Sequence, residues 1–119
     1  MLGETYKKNI KNIKEQYPNA VFVDVTSTSN SPLSPSMRLS SALRLGKITW
    51  DQFKLDFTEE IEMEVKKRKM LEIAKDAVDK DVFLLCCEAS PKQCHRSILI
   101  EVIEQLAEKS GIAVKIIGR

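Results

Sequence analysis

Cysteine and histidine are scarce in this 119-residue sequence, and all of it sits in one place. The three cysteines, Cys86, Cys87 and Cys94, and the single histidine, His95, fall within one short stretch. An odd number of cysteines crowded into one segment is not a disulfide framework and fits a reducing, cytoplasmic setting. No apolar run approaches the roughly 20 residues needed to cross a bilayer, so no membrane partner is expected. The N-terminus is polar and charged from Gly3 onward and does not read as a secretory signal. A Walker-type glycine loop is missing throughout. An excess of one charge is missing too. Nineteen basic and 17 acidic residues give a net charge of +2, too balanced for nucleic-acid binding by bulk charge alone, although a local basic site is still open.

What is present is the balance of a folded domain, with 43% hydrophobic and 30% charged residues. Residues 1–119 suit a single domain, which at this size needs neither disulfides nor a structural metal to build a core. Tyr6, Ile10, Ile13 and Tyr17 recur at helical spacing and predict an amphipathic helix from about Glu4 to Tyr17, stopped by Pro18 and Asn19. Val21–Val25 is β-branched, short and nearly continuous, the pattern of a buried parallel strand. Thr26–Ser36 is rich in serine, threonine and proline and reads as a loop. Ser34 as N-cap and Pro35 in the first turn then open a short helix to about Leu45, ended by Gly46. Thr49 with Gln52 forms a capping box before a long helix extending to about Ala77. Its apolar stripe is Trp50, Phe53, Phe57, Ile61 and Val65, and Lys66–Lys69 is its solvated face or a break. Val82–Cys86 is a second strand. A helix follows from about Cys94, buried through Leu99, Val102, Ile103 and Leu106 and ended at Ser110–Gly111. Ile112–Ile117 reads as a third strand.

Strands separated by helices predict an α/β fold: a small three-layer, Rossmann-like domain with a short parallel sheet of about three strands flanked by helices. In such sheets ligands bind beyond the carboxyl ends of the strands. If the first two strands are neighbours, the Thr26–Ser36 loop and the Cys87–Gln93 loop share one cleft.

The chemistry gathered there is concentrated. Cys94, His95 and Arg96 lie at a predicted helix N-terminus, where unpaired N–H groups and the helix dipole favour anions and thiolate. Cys94 is the candidate nucleophile, and His95 or Glu88 the candidate base. Arg96 is the candidate anion clamp, with Cys86, Ser34, Ser36 and Arg38 as further substrate-binding candidates. Each residue also has a plainer reading. Cys87 fits a small buried hydrophobe and Cys86 fits that role as well as a functional one. His95 fits a cap or surface residue, Arg96 a partner for Glu88, and Trp50, Phe53 and Phe57 the core. Two motifs are excluded. A phosphatase loop needs arginine six positions after its cysteine, where Cys86 and Cys87 meet Lys92 and Gln93. Cys87 and Cys94 are too far apart for a dithiol redox motif.

The run Cys86-Cys87-Glu88-Ala89-Ser90-Pro91-Lys92-Gln93-Cys94-His95-Arg96-Ser97 resembles the signature of the domain-of-unknown-function family 488: cysteine, any residue, glutamate, five residues, then cysteine-histidine-arginine. Cys86, Glu88, Cys94, His95 and Arg96 match it. Ser31–Ser36 is similar to the corresponding loop of the family's short branch, Ile48–Phe53 to its next stretch, and Val23–Val25 to the first strand of longer members. The resemblance runs from about Val21 to Leu106 and implies a small α/β fold; the family's name carries no activity. Longer members place an arginine directly after the first strand, where this chain has Thr26, with Arg38 as a candidate substitute.

Three functions follow as expectations. The first is an enzyme acting on a small anionic ligand, a nucleotide or nucleic-acid component. The second is a non-catalytic nucleotide or nucleic-acid binding module, with hydroxyls from Ser29, Ser34 and Ser36 completing an anion cradle. The third is a metal site drawing on Cys86, Glu88, Cys94 and His95, although adjacent Cys94 and His95 point in different directions for one ion. Redox pairing of Cys86 with Cys94 requires α-carbons within about 7 Å. No cofactor and no oligomeric state can be read.

Overall fold

The computed structural model describes residues 1–26, 31–86 and 95–117. In chain order these form β1 (Leu2–Tyr6), a single 3-10 turn (Lys7–Asn9), α1 (Ile10–Gln16), β2 (Val21–Asp24), α2 (Met37–Arg44), α3 (Trp50–Ile61), α4 (Glu64–Asp79), β3 (Val82–Cys86) and α5 (His95–Lys109). The three strands make one parallel sheet in the order β1-β3-β2. The expected α/β class and parallel sheet are therefore present, and the two sequence-predicted strands β2 and β3 are neighbours.

The last strand in sequence takes the centre of the sheet. Val82 lies in register with both Leu2 and Val21, and Leu85 with both Thr5 and Asp24. The connection from β1 to β2 passes beyond β3, and the connection from β2 returns by one position. Right-handed crossovers running in opposite directions put their helices on opposite faces. On one face Phe83 packs at 5.2 Å from Tyr17, which closes α1, and at 6.0 Å from Phe22. On the other, Leu2, Val82 and Leu84 enter the main core with Met70, Ile73 and Ala74 of α4 and Leu99 and Ile103 of α5. Burying each such leucine, isoleucine or methionine contributes about 1.5–3 kcal/mol.

Four expectations need correction. The segment from Glu4 is not helical until the 3-10 turn at Lys7, which leads into α1 at Ile10, because Leu2–Tyr6 forms a strand. That strand has no apolar run to betray it. Gly3 is there because a Cβ would stand 2.9 Å from the Phe83 ring, and the polar Glu4 and Thr5 have partners in the fold. Ile112–Ile117 is not a strand among the described residues. It makes one parallel bridge, Leu2 to Ile116, with Leu2 N donating to Lys115 O and Ile117 N to Leu2 O, both at 2.8 Å. The long helix is two helices that break at Glu62–Met63, where Met63 adopts an extended ψ of 142°. The stripe ends at Ile61, and Val65 is 65% exposed. Finally, α2 is capped by Ser36, whose Oγ accepts from Leu39 N, rather than by Ser34.

Other local signals act as expected. Thr49 Oγ1 accepts from Gln52 N at 3.1 Å and opens α3. Gly46 and Gly111 follow α2 and α5 with φ of 72°, a left-handed conformation that costs glycine little.

Candidate functional site

At the carboxyl edge of the sheet, Tyr6 and Cys86 face each other at the ends of β1 and β3, and Val25 N donates to Leu85 O at 2.9 Å, carrying β2 one residue further. The first residue of α5 comes down on this edge. His95 is buried, and its Nε2 hydrogen-bonds the carbonyl oxygen of Val25. A carbonyl only accepts, so Nε2 carries a hydrogen, and in the neutral ring the lone pair is on Nδ1. The imidazole stands edge-on to Phe57, at 5.5 Å and 81°. Phe57 closes a file of rings along α3, with Trp50–Phe53 at 5.1 Å and Phe53–Phe57 at 5.8 Å. The expected core stripe thus also forms an apolar wall behind His95.

Arg96 points elsewhere. It is 1% exposed, the largest fully buried side chain among the described residues. Its Nη1 donates to the Thr5 carbonyl at 2.5 Å, and its Nε lies 3.6 Å from Glu4 Oε1. A guanidinium keeps its charge when buried and requires acceptors around it. Two of those acceptors are on β1, so the arginine ties the start of α5 to the edge strand.

The loop after β2 folds back on the same edge. Ser34 is buried, and its Oγ donates to the Thr26 carbonyl at 2.6 Å. Thr26 in turn donates from N, at 2.9 Å, and from Oγ1 to Asp24 Oδ1. Asp24 Oδ2 lies 3.4 Å from Lys7 Nζ, so this ion pair spans the carboxyl end of the central strand. Burial raises the Asp24 pKa. The two Thr26 hydrogen bonds and the Lys7 charge outweigh it and bring the carboxyl below its ordinary value.

The other predicted site residues are placed less centrally. Ser36 is held by Glu60, whose carboxylate accepts from Ser36 N at 2.9 Å and from Ser36 Oγ at 2.6 Å. The N-terminus of α2 therefore already carries an anion supplied by the chain. Arg38 is exposed and borders a hollow between α2 and α3 with Asp56, Glu59 and Glu60. Cys86 is 2% exposed in the core face of β3. Glu88, Cys94, Cys87 and Ser29 lie outside the described residues.

The structure therefore joins His95, Arg96, Ser34 and Cys86 at one edge and sets Ser36 and Arg38 against α3. Asp24 and Lys7 were not anticipated as part of the site. The available signal was an acidic residue ending an otherwise apolar strand, Val21-Phe22-Val23-Asp24, but its partner Lys7 lay inside a segment read as continuous helix.

This edge carries the matched signature residues His95 and Arg96, and a family model described as the active DUF488-N3 subclade matches residues 6–107. The chain belongs to the DUF488 family. Neither a curated protein nor a solved structure gives a significant match. Within this DUF488 domain, no group of three or more histidine, cysteine or acidic side chains is placed to hold a metal ion among the described residues. Of the four metal-donor candidates, Cys86 and His95 are described, and the Nε2 of His95 is committed to Val25. No helix among the described residues is long and apolar enough to cross a membrane.

Proposed function

We propose that the carboxyl edge of the sheet binds a small anionic group, a phosphate-bearing nucleotide or nucleic-acid component, and that the Cys94–His95 pair acts on it. The observation that carries this reading is the bond from His95 Nε2 to Val25 O. It makes the start of α5 and the loop after β2 one place, as a binding cleft requires. With Nε2 occupied, proton transfer falls to Nδ1. Cys94 immediately precedes α5, where the helix field favours a thiolate nucleophile, and Glu88 is a second base. Arg96 contributes by positioning α5 on β1. Cys86 and Ser34 remain in this reading as parts of the lining, whereas Ser36 and Arg38, set against α3, would meet only a ligand that extends beyond the edge.

The test measures two things. The first is protection of the native fold by inorganic phosphate and by a deoxynucleoside monophosphate. The second is the rate of Cys94 alkylation against pH. Protection that disappears in Cys94→Ser, with an alkylation midpoint well below the usual thiol value of about 8.5, supports an enzyme. Protection that survives Cys94→Ser, with an ordinary thiol midpoint, supports the non-catalytic binding module instead. One observation favours that second reading: His95 and Arg96 are both buried and engaged with backbone carbonyls. Absence of protection by either ligand would remove the anion site altogether. Metal content of protein purified anaerobically tests the remaining alternative, a metal-binding protein using Cys86, Glu88, Cys94 and His95.

A further inference from the structure

Residues 7–16 carry four lysines, Lys7, Lys8, Lys11 and Lys14, and one acid, Glu15. That is a net charge of +3 in one segment, against +2 for the whole chain. All four lysines are exposed, and with Ile10 and Glu15 they line a single open groove on the outer side of α1. Balanced overall charge thus hides a basic track. Its position matters more than its charge. Lys7 follows β1 directly and reaches Asp24 at the rim of the site. From there α1 runs back along the sheet to Lys14, whose Nζ lies 6.0 Å from the centre of the Phe22 ring. At 1.5 Å of rise per residue the lysines extend about 10 Å away from the rim.

We propose that this track binds the phosphodiester backbone of a single-stranded nucleic acid, so that the anionic group taken by the site belongs to a polymer and not to a free mononucleotide. The inference rests on the anion-site reading above. A mononucleotide carries one phosphate group, which cannot meet all four lysines spread over about 10 Å. A strand has phosphates spaced along that whole path. A single strand is the form whose bases are available to an edge site, because chemistry on a paired base first requires its removal from the stack. A membrane fits less well. Surface helices insert a broad apolar face, whereas Ile10 and Ile13 are half-buried and Tyr17 packs on Phe83, which leaves lysines outward.

The experiment is fluorescence anisotropy of a labelled 20-nucleotide single strand titrated with protein over a salt series, beside binding of a deoxynucleoside monophosphate. Three to four lysine–phosphate contacts predict a log–log salt slope of about −2 to −3. The double variant Lys8→Glu with Lys11→Glu, both exposed, is expected to weaken strand binding at least about tenfold and to flatten the slope by about 1.4. Its mononucleotide binding and unfolding midpoint should stay native. Strand affinity indifferent to the double variant overturns the track and leaves the edge site standing. Strand binding lost in the double variant, with no mononucleotide binding in any form, upholds the track while the anion-site reading fails. Equal affinity for polyglutamate or for phosphatidylglycerol vesicles overturns the proposal in favour of general attraction to polyanions.

Discussion

The imidazole of His95 is bonded to the carbonyl of Val25, two groups 70 positions apart in the chain. A ring held this way is part of the fold as well as a candidate for chemistry, and the two roles separate by substitution. His95→Phe keeps an aromatic ring against Phe57 but leaves the buried carbonyl without this donor. The expected cost is about 1–3 kcal/mol in urea unfolding. His95→Ala also loses ring packing and should cost more. A native midpoint for His95→Phe would show that the bond contributes nothing to stability.

Arg96 and Glu4 form the second long-range anchor, together with the Thr5 carbonyl. Arg96→Ala strands a partly buried carboxylate and is expected to cost about 3–5 kcal/mol. Replacing both partners with apolar residues, Arg96→Met with Glu4→Leu, should restore most of that loss. A double-mutant cycle reads the coupling directly. Additive effects would show that Glu4 and Arg96 do not sense each other.

The Asp24 carboxyl is brought below its ordinary value of 3.8. A group whose folded pKa is depressed stabilises the native state above its unfolded pKa and loses that contribution as pH falls through the folded value. The native protein should therefore exceed Asp24→Asn in urea midpoint by a constant amount at neutral pH. The gap should narrow once pH drops below 3.8. A gap that persists unchanged to strongly acid pH would mean that the Lys7 and Thr26 contacts do not depend on the charge.

Two glycine positions test different physics. At Gly3 an added Cβ would meet Phe83 Cε1 at 2.9 Å and Ile117 Cδ1 at 3.0 Å. Phe83 is held between Tyr17 and Phe22, so Gly3→Ala is expected to cost about 1–3 kcal/mol through overpacking. At Gly111 a Cβ has open space and the cost comes from a φ of +72°, about 1–2 kcal/mol for Gly111→Ala. Thermal midpoints for both report the two terms separately.

The sequence disclosed those elements whose burial is continuous or whose caps are local. Val82–Cys86 has every side chain buried, and Thr49 with Gln52 caps α3 within four residues. It concealed β1, because an edge strand bearing Gly3, Glu4 and Thr5 is explained only by Phe83, Arg96 and Asn9, which lie elsewhere in the chain. It concealed the break after Ile61 because no proline or glycine marks it. Residue type singled out His95 and Ser34, and both lie at the carboxyl edge, on the Val25 and Thr26 carbonyls. The reading of Arg96 came from its neighbours in sequence, and could not show that two of its partners, Glu4 and the Thr5 carbonyl, are on β1. The Asp24–Lys7 pair needed the position of β1 before it could be seen.

The central place of β3 has a consequence for assembly. β1 and β2 never pair with each other; each pairs with β3, which is made after α1, α2, α3 and α4. A chain folded only as far as α4 has two unconnected edges and neither of the carbonyl contacts, Thr5 to Arg96 or Val25 to His95. Such long-range closure is slow relative to helix formation. Binding at the sheet edge should therefore appear late and all at once during refolding, lagging the helical signal, so that ligand recognition itself reports whether the domain has closed.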